Sequence, residues 1–491
     1  MSMNISEILA KSAEMRPEKT AVIDMYAAVS YSALFSEVVS LSRRLRESGV
    51  EPGHGVGIMA RNGREFIISA FASLLTGAVI LPIHHQIRRN ELNEVLETCS
   101  IHFVIDDMSG IKPGDGLFSE LQIKGANPLR FTQIGSVGSS ASYDRKPITE
   151  SFEDAAFVRF TSGTTGRSKG VVVSHRGIVE RTAAANGGLG ISHEDVVLCV
   201  LPMAFHFLVS TILYLEAGAA IVICPDLLAQ SILSQANQHS ATFLYASPMH
   251  YRLLAADRSG LGFKTLRRAV STSSSLPSGT SLNFYEKYGI PVSQAYGIIE
   301  CGIPLMNLEN PIGKPSSVGR PLPGYEVSIL DDRLKQVQDG VVGQLAFRGP
   351  GMFSGYLNPP RHAEDILSEG WFLSGDQALK DGDGDVTIAG RTKSLINVAG
   401  NKVFPEEVES VVNRHPDVHV SRASWRPHLQ MGEVVHVDVV LKDPSGKIDT
   451  EGLIRFCREH LTGYKVPQSV AVVSEINETL SGKISRDGYN S

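Results

Sequence analysis

The chain has 491 residues, of which 42% are apolar and 20% charged, and its formal net charge is −6. This length exceeds what one ordinary hydrophobic core supports, so the sequence predicts at least two domains. The negative net charge argues against a nucleic-acid-binding protein, which usually presents a basic face. Five cysteines stand far apart without a C-x-x-C pair, which predicts reduced thiols and a cytoplasmic location instead of disulfides or a zinc site.

Strand-like apolar runs alternate with amphipathic, helix-like stretches along most of the chain. The segment Phe66 to Ile83 approaches the length of a membrane span, but polar residues interrupt it and Pro82 closes it. We therefore predict a buried helix followed by a strand, and no membrane span. The predicted strands are 55–60, 78–83, 102–105, 196–201, 220–224, 241–246 and 268–271, and the predicted helices include 31–48 and 91–98. This alternation predicts an α/β fold of layered helices and mostly parallel sheets.

The pattern changes near the C-terminal third of the chain. Short strands with many Gly and Pro turns between residues 321 and 388 predict an antiparallel or barrel-like subdomain. A last unit begins near Arg391, with predicted helices at 405–412 and 451–461 and predicted strands at 434–441 and 469–473. We therefore assign residues 1–390 to a large N-terminal domain, which includes the 321–388 subdomain, and residues 391–491 to a small α+β C-terminal domain.

The segment from Phe160 to Gly170, F-T-S-G-T-T-G-R-S-K-G, is the most informative stretch. Its glycines let backbone N–H groups turn inward, its hydroxyls add donors, and its Arg and Lys add positive charge, which together predict a polyphosphate site. It is not a Walker A loop, because Ser168 precedes Lys169. The alternative is a flexible Ser/Thr/Gly linker, against which the apolar strands on both sides argue.

Six motifs in order along the chain resemble those of the adenylate-forming enzymes, the superfamily of acyl-CoA synthetases, luciferases and peptide-synthetase adenylation domains. They are the loop above, Y-G-I-I-E at 296–300, V-G-R-P-L-P-G at 318–324, G-W-F-L-S-G-D at 370–376, the hinge motif G-R-T-K at 390–393 with Gly400, and the lysine motif L-S-G-K-I at 480–484. The resemblance implies an AMP-binding N-terminal domain and a mobile C-terminal lid. Two residues depart from the pattern: Ile299 replaces a Thr whose hydroxyl would contact phosphate, and Asn477 stands where Pro is common.

The resemblance also implies which residues bind the nucleotide. Tyr296 offers a ring for adenine, and Asp376 can accept hydrogen bonds from two ribose hydroxyls; a core tyrosine and a turn-capping aspartate are the alternatives. Glu300 is placed to hold Mg²⁺, a hard cation that takes oxygen ligands, and the alternative is a solvated loop acid. The predicted ATP-binding residues are Thr161, Ser162, Gly163, Thr164, Thr165, Lys169, Tyr296, Gly297, Asp376 and Arg391.

Catalysis is expected to depend on Lys483, Glu300 and His206. A mobile lysine can neutralise charge that gathers between a carboxylate and the α-phosphate, although Lys483 taken alone reads as a surface lysine. His206 resembles the gate beside the acyl site, or is a core histidine between two phenylalanines. The predicted acyl pocket comprises Phe205, His206, Ser271, Thr272 and Gly302, with Lys393 at the hinge and Gly400 beside the thiol channel.

Two other clusters received no site role. The Asp381–Asp385 run fails as an EF-hand, because Val386 stands where the loop needs Gly and Thr392 where it needs Glu, so a hairpin turn is predicted. The His84–His85 pair has no third ligand nearby in sequence.

The resemblance implies ATP-dependent activation of a carboxylic acid through an acyl-AMP, followed by transfer to a thiol. The thiol belongs either to coenzyme A or to the phosphopantetheine of a separate carrier protein. No Asp stands near residues 205–206 to meet an ammonium group, which argues against α-amino acids, and the side chains of 271–275 favour a small, medium-chain or aromatic acid. The rival readings are a non-catalytic nucleotide-binding protein, supported only by Ile299, and a kinase-like phosphotransferase, which would cleave the β,γ bond.

Overall fold

The computed structural model describes residues 4–113, 118–124, 126–134, 146–161, 169–391, 394–399, 401–429 and 431–477. Helices and strands are numbered in chain order. The helices are α1 (Ser6–Met15), α2 (Tyr31–Glu47), α3 (Arg64–Leu75), α4 (Arg89–Thr98), α5 (His175–Leu189), α6 (Met203–His206), α7 (Thr211–Ala217), α8 (Ala229–Gln238), α9 (Pro248–Ala256), α10 (Ser278–Tyr288), α11 (Pro405–Val412) and α12 (Thr450–His460). Among the described residues, none of these helices is long and apolar enough to cross a membrane.

The first sheet has nine strands, and its centre is parallel. In spatial order it contains β16 (Arg320–Pro321), β15 (Gly302–Met306), β14 (Val292–Ile298), β13 (Arg268–Ser271), β12 (Phe243–Ala246), β10 (Val196–Cys199), β11 (Ala220–Ile223), β1 (Thr20–Ile23) and β2 (Ala28–Ser30). The pairs from β1 through β14 are parallel, whereas β2, β15 and β16 join antiparallel at the edges. The prediction of a mostly parallel sheet is therefore confirmed at its centre.

The second sheet also has nine strands. In spatial order it contains β20 (Arg361–His362), β19 (Gly355–Tyr356), β9 (Lys169–Ser174), β8 (Ala155–Thr161), β4 (Val79–Pro82), β3 (Gly55–Met59), β5 (Ile101–Asp106), β7 (Leu129–Gln133) and β6 (Phe118–Leu121). Strands β8, β4, β3 and β5 are parallel, and the flanking pairs are antiparallel. The apolar segment after residue 65 is a buried helix, α3, followed by β4, as the sequence predicts.

Two smaller sheets follow. The third contains β17 (Glu326–Leu330), β18 (Gly343–Arg348), β21 (Phe372–Lys380) and β22 (Val386–Arg391), and the fourth contains β24 (Asn401–Val403), β23 (Ile396–Val398), β26 (Gly432–Leu441) and β25 (Val418–His428), with β27 (Ser469–Val472) parallel to β26. The third sheet is antiparallel, as predicted. In the described part of the chain its four strands pair along an open path, so the barrel-like expectation is corrected to an open sheet.

The large core lies between the two nine-stranded sheets and includes side chains from both, such as Val56, Phe157, Val197 and Phe243. Helix α2 shows why the sequence folds this way: Leu34, Val38, Leu41 and Leu45 recur at helical spacing and are all buried. The C-terminal unit has a core of its own around β26 and α11. The predicted boundary at residue 391 coincides with the end of β22 and remains a prediction.

Candidate active site

The candidate site lies where parallel strands of both large sheets end. Strand β8 ends at Thr161 and its parallel neighbour β4 ends at Pro82, while β12 and β13 of the other sheet end at Ala246 and Ser271. Ligands of open α/β sheets bind at the carboxyl ends of strands, because the connecting loops gather there. The topology therefore brings the predicted phosphate loop and the predicted acyl residues to the same region.

Strands β8 and β9 hold the two ends of the phosphate loop opposite each other. They pair antiparallel, with Thr161 across from Lys169 and Phe160 across from Gly170. Of the other predicted site residues, Ser162, Gly163, Thr164, Thr165, Lys393, Gly400 and Lys483 lie outside the described residues. The predicted flanking strands are confirmed, and the loop between them connects neighbouring antiparallel strands.

Glu300 lies in the turn between β14 and β15, close to the end of the phosphate loop. The Tyr356 hydroxyl donates a hydrogen bond to Glu300 Oε1 at 3.1 Å, and Lys169 Nζ lies 4.6 Å from the centre of the Tyr356 ring. Burial raises the pKa of Glu300, and the Tyr356 hydrogen bond and the positive charge of Lys169 oppose that rise. Glu300 and Lys169 are thus brought together through Tyr356, which the sequence analysis did not place in the site.

Tyr296, Asp376 and Arg391 form a second cluster. The Tyr296 hydroxyl donates to Asp376 Oδ2 at 2.5 Å, and Arg391 Nε lies 3.1 Å from Asp376 Oδ1. Asp376 on β21 and Arg391 on β22 are direct antiparallel partners, so the backbone pairing aligns the two side chains. Because a carboxylate offers about four lone-pair sites, Asp376 retains acceptor capacity for two further donors.

The Tyr296 ring also packs against an aromatic side chain, in addition to its hydroxyl's hydrogen bond with Asp376. It stacks on the Phe347 ring, with the two centres 5.6 Å apart and the planes inclined by 24°. Burial raises the pKa of the Tyr296 hydroxyl, and the negative charge of Asp376 adds to the rise, so Tyr296 remains a donor at neutral pH. Gly297, which follows it, has no room for a side chain, since an added Cβ would lie 2.7 Å from the Gly302 carbonyl oxygen.

Most of the predicted acyl-pocket residues lie around His206. Its Nε2 lies 3.3 Å from the Ser273 Oγ, and its ring meets the Tyr245 ring edge-on at 6.1 Å. Burial raises the pKa of Tyr245 to about 12, and a hydrogen bond with Thr272 opposes the rise. Ser271 is buried, and within the described residues its hydroxyl has no hydrogen-bond partner.

Gly302 is the remaining predicted acyl residue, and its surroundings are those of a tightly packed backbone. It opens β15 with a φ of +88°, and an added Cβ would approach the Tyr325 hydroxyl and the Arg181 side chain within 3.3 Å. Gly302 therefore allows a close approach of two packed side chains, and its place in the acyl pocket stays a prediction.

Phe205, which precedes His206, faces the second sheet. Its ring stacks on the His84 ring, with the centres 5.2 Å apart and the planes 9° from parallel, and the Arg159 guanidinium carbon lies 5.0 Å above it. Burial lowers the pKa of His84 to about 4, so this ring is neutral. The sequence analysis gave neither His84 nor Arg159 a role; a single arginine in the apolar strand before the phosphate loop was the available signal for Arg159.

This geometry belongs to a class of α/β enzymes that bind a nucleotide at the carboxyl ends of their strands. The sequence profile of the family described as "AMP-binding enzyme" matches residues 9–357, and that of its C-terminal domain matches residues 407–483. The chain therefore belongs to the AMP-binding enzyme family.

Proteins that are similar over nearly the whole chain support this family assignment. A long-chain-fatty-acid–CoA ligase of Salmonella typhimurium is 26% identical, covering 98% of this chain and 93% of the relative. A feruloyl-CoA synthase of Amycolatopsis sp. is 27% identical over 96% of both chains. The crystal structure of ATP-bound MatB from Rhodopseudomonas palustris is 25% identical, with a TM-score of 0.84, and the match covers 99% of this chain and 97% of that one. The chain is an AMP-forming acid–thiol ligase of the acyl-CoA synthetase type that uses ATP and coenzyme A.

Proposed function

We propose that this ligase activates a small, medium-chain or aromatic carboxylic acid. The observation that supports the acid's size is the crowding beside His206, where Tyr245, Ser271 and Thr272 are all at most 6% exposed. Such a pocket disfavours a long acyl chain, which needs a continuous apolar channel.

In the proposed reaction, a carboxylate oxygen of the acid attacks the α-phosphorus of ATP, and pyrophosphate leaves as its bond to that phosphorus breaks. The resulting acyl-AMP carries a good leaving group, so the thiol of coenzyme A attacks the carbonyl carbon and AMP departs. Lys483 is proposed to stabilise the charge that develops in the first step, and Asp376 with Arg391 to hold the ribose. His206 is proposed to gate the acyl pocket.

We assign Mg²⁺ to the carboxylate of Glu300. The residues fit this ion, because Glu300 is an oxygen ligand whose buried charge a cation would compensate, and its Oε1 is already oriented by Tyr356. When bound, the ion would offset the negative charge of the phosphates. Lys169 contributes further positive charge above the face of the Tyr356 ring.

ATP–pyrophosphate exchange over a panel of acids tests this proposal. The panel should pair butyrate, octanoate and palmitate with benzoate and cinnamate, and each acid should be assayed with and without EDTA. We expect exchange with the shorter or aromatic acids, and its loss when the chelator removes Mg²⁺. Strong exchange with palmitate and none with the other acids would overturn the assignment of size.

The acceptor and the location complete the proposal. Coenzyme A and a carrier-bound phosphopantetheine present the same thiol, so product formation with free coenzyme A and with a loaded carrier protein distinguishes the two.

We place the enzyme in the cytoplasm, because its five cysteines are free and burial raises the pKa of the Cys199 thiol to about 12, which keeps it protonated and unreactive.

A further inference from the structure

Arg159 is a positively charged residue of the site to which the proposed function assigns no role. Side chains of a strand alternate between faces, and Phe157 on β8 belongs to the large core whereas Val158 belongs to the neighbouring cluster. Arg159 therefore shares the face of Phe157 and points between the two large sheets. It stands two residues before Thr161, where β8 passes into the phosphate loop.

The surroundings of Arg159 leave its charge poorly compensated. Its guanidinium donates a hydrogen bond to the Phe205 carbonyl oxygen and covers the Phe205 ring. Burial lowers the pKa of Arg159 to about 10, and the negative charge of Glu300 opposes this. Among the described residues no carboxylate forms an ion pair with Arg159, although Glu300 lies near enough to influence it. Arg159 is partly buried, and a charge withdrawn from water without a direct counter-ion is costly; such groups are typical of ligand sites.

Other buried arginines of this chain show the contrast. Arg64, Arg130 and Arg422 each form a direct ion pair with an aspartate, at distances up to 2.8 Å. Arg181 has no such pair within the described residues, but its guanidinium bonds two carbonyl oxygens, those of Gly351 and Ile299. The described partners of Arg159 are one neutral carbonyl and an aromatic face.

The position of Arg159 points to the phosphates as its ligand. Two consecutive residues of α6 divide the site: Phe205 faces Arg159 and His84, whereas His206 faces Tyr245 and Ser273. Of the predicted acyl-pocket residues, Phe205 contacts Arg159, whereas His206 is turned towards Tyr245 and Ser273, away from the guanidinium. On its own side Arg159 is flanked by the phosphate-loop strand and Glu300.

We propose that Arg159 binds a phosphoryl oxygen of the nucleotide, which supplies the direct anionic partner that the described residues do not provide. This inference rests on the nucleotide site proposed above. Arg159 neither gives nor takes a proton in the reaction; it holds the phosphate and offsets the charge that grows as the carboxylate oxygen bonds to the α-phosphorus. The Arg159 contact would partly compensate for the phosphate contact that is lost because Ile299 has no hydroxyl.

Calorimetric titration with adenosine, AMP and ATP tests the proposal on the full-length protein. In Arg159→Gln we expect the affinity for AMP to fall about 10- to 100-fold relative to wild type while the affinity for adenosine is unchanged, since only a charge-assisted hydrogen bond to phosphate is lost. Arg159→Lys should retain an intermediate affinity. A loss confined to ATP would assign the contact to the β- or γ-phosphate and also support the proposal.

The matched control is Arg268→Gln. Arg268 is another partly buried arginine that donates to backbone carbonyls, at 2.6 Å to that of Gly188, but it lies at the opposite end of β13. Its replacement should lower the melting temperature without changing the ratio of AMP to adenosine affinity. An Arg159→Gln protein that behaves in the same way would overturn the proposal, as would a defect seen only with diacid substrates. If the wild-type protein does not bind AMP, the proposed nucleotide site is refuted, and this outcome is distinguishable from a failure of the Arg159 proposal alone.

Discussion

The hydrogen bond from Tyr356 to Glu300 offers a sharp test of the site. Tyr356→Phe removes one oxygen and keeps the ring under the Lys169 ammonium. Hydrogen bonds to charged groups contribute about 1.5–3 kcal/mol, so the lower figure predicts roughly a tenfold weaker interaction with the magnesium complex of ATP. We therefore expect the KM for Mg·ATP to rise about tenfold, with a smaller change in the KM for the acid.

The same substitution has a pH signature. Burial already raises the pKa of Glu300, and Tyr356 favours its ionised form. Because the carboxylate is the form that binds a cation, activity should fall as the pH drops through the pKa of Glu300. Tyr356→Phe removes a group that lowers this pKa, so the acid limb of the kcat/KM profile should move to higher pH.

Pyrophosphate exchange measured across pH 5 to 8, about the range in which carboxyl groups with raised pKa values titrate, provides the assay. Tyr325→Phe is the matched control, since its hydroxyl donates to the Cys301 carbonyl at 2.6 Å, one residue from Glu300, without touching the carboxylate. An unchanged profile and an unchanged KM for Mg·ATP in Tyr356→Phe would refute the reasoning. Equal effects of the two substitutions would do the same.

Three further substitutions give distinct outcomes. Asp376→Asn should raise the KM for ATP about tenfold in steady-state exchange, because the side chain loses its charge beside Arg391 and one strong acceptor; an unaltered KM contradicts the ribose assignment. Lys483→Ala should slow adenylation about 10²- to 10³-fold in single-turnover assays while AMP still binds in calorimetry. Arg422→Ala should lower the free energy of unfolding by about 3–5 kcal/mol in urea titrations, because Asp438 is only 4% exposed and loses its main cation; a loss below about 1 kcal/mol would count against this.

Local patterns predicted individual elements well. Strand β13 spans Arg268–Ser271 as predicted, and α11 spans Pro405–Val412, because a proline at its start and acids in its first turn are strong local signals. The long strand β25 was not predicted. Its residues include charged, aromatic and proline side chains without a clean alternation, and it is held by pairing with β26 along nearly its whole length.

The site shows the same limit. Motifs led to Glu300, Tyr296 and Asp376, but not to the contacts that hold them, since Tyr356 lies 56 residues from Glu300 and Tyr296 lies 80 residues from Asp376. Those contacts depend on which strands become neighbours, which is a property of the whole chain. Gly302 shows the same dependence, because the sequence did not indicate its positive φ or its close contacts with Tyr325 and Arg181.

Three aspartates in the hairpin turn after β21 share one lysine, Lys314, as their counter-ion. Lys314 Nζ donates to Asp381, Asp383 and Asp385 at 2.7, 2.7 and 2.9 Å, and this lysine lowers the pKa of Asp381. One ammonium group thus offsets part of the mutual repulsion of the three aspartates. Replacing Lys314 would leave like charges crowded at the turn that joins the strands carrying Asp376 and Arg391, so this distant lysine supports the alignment of those two side chains.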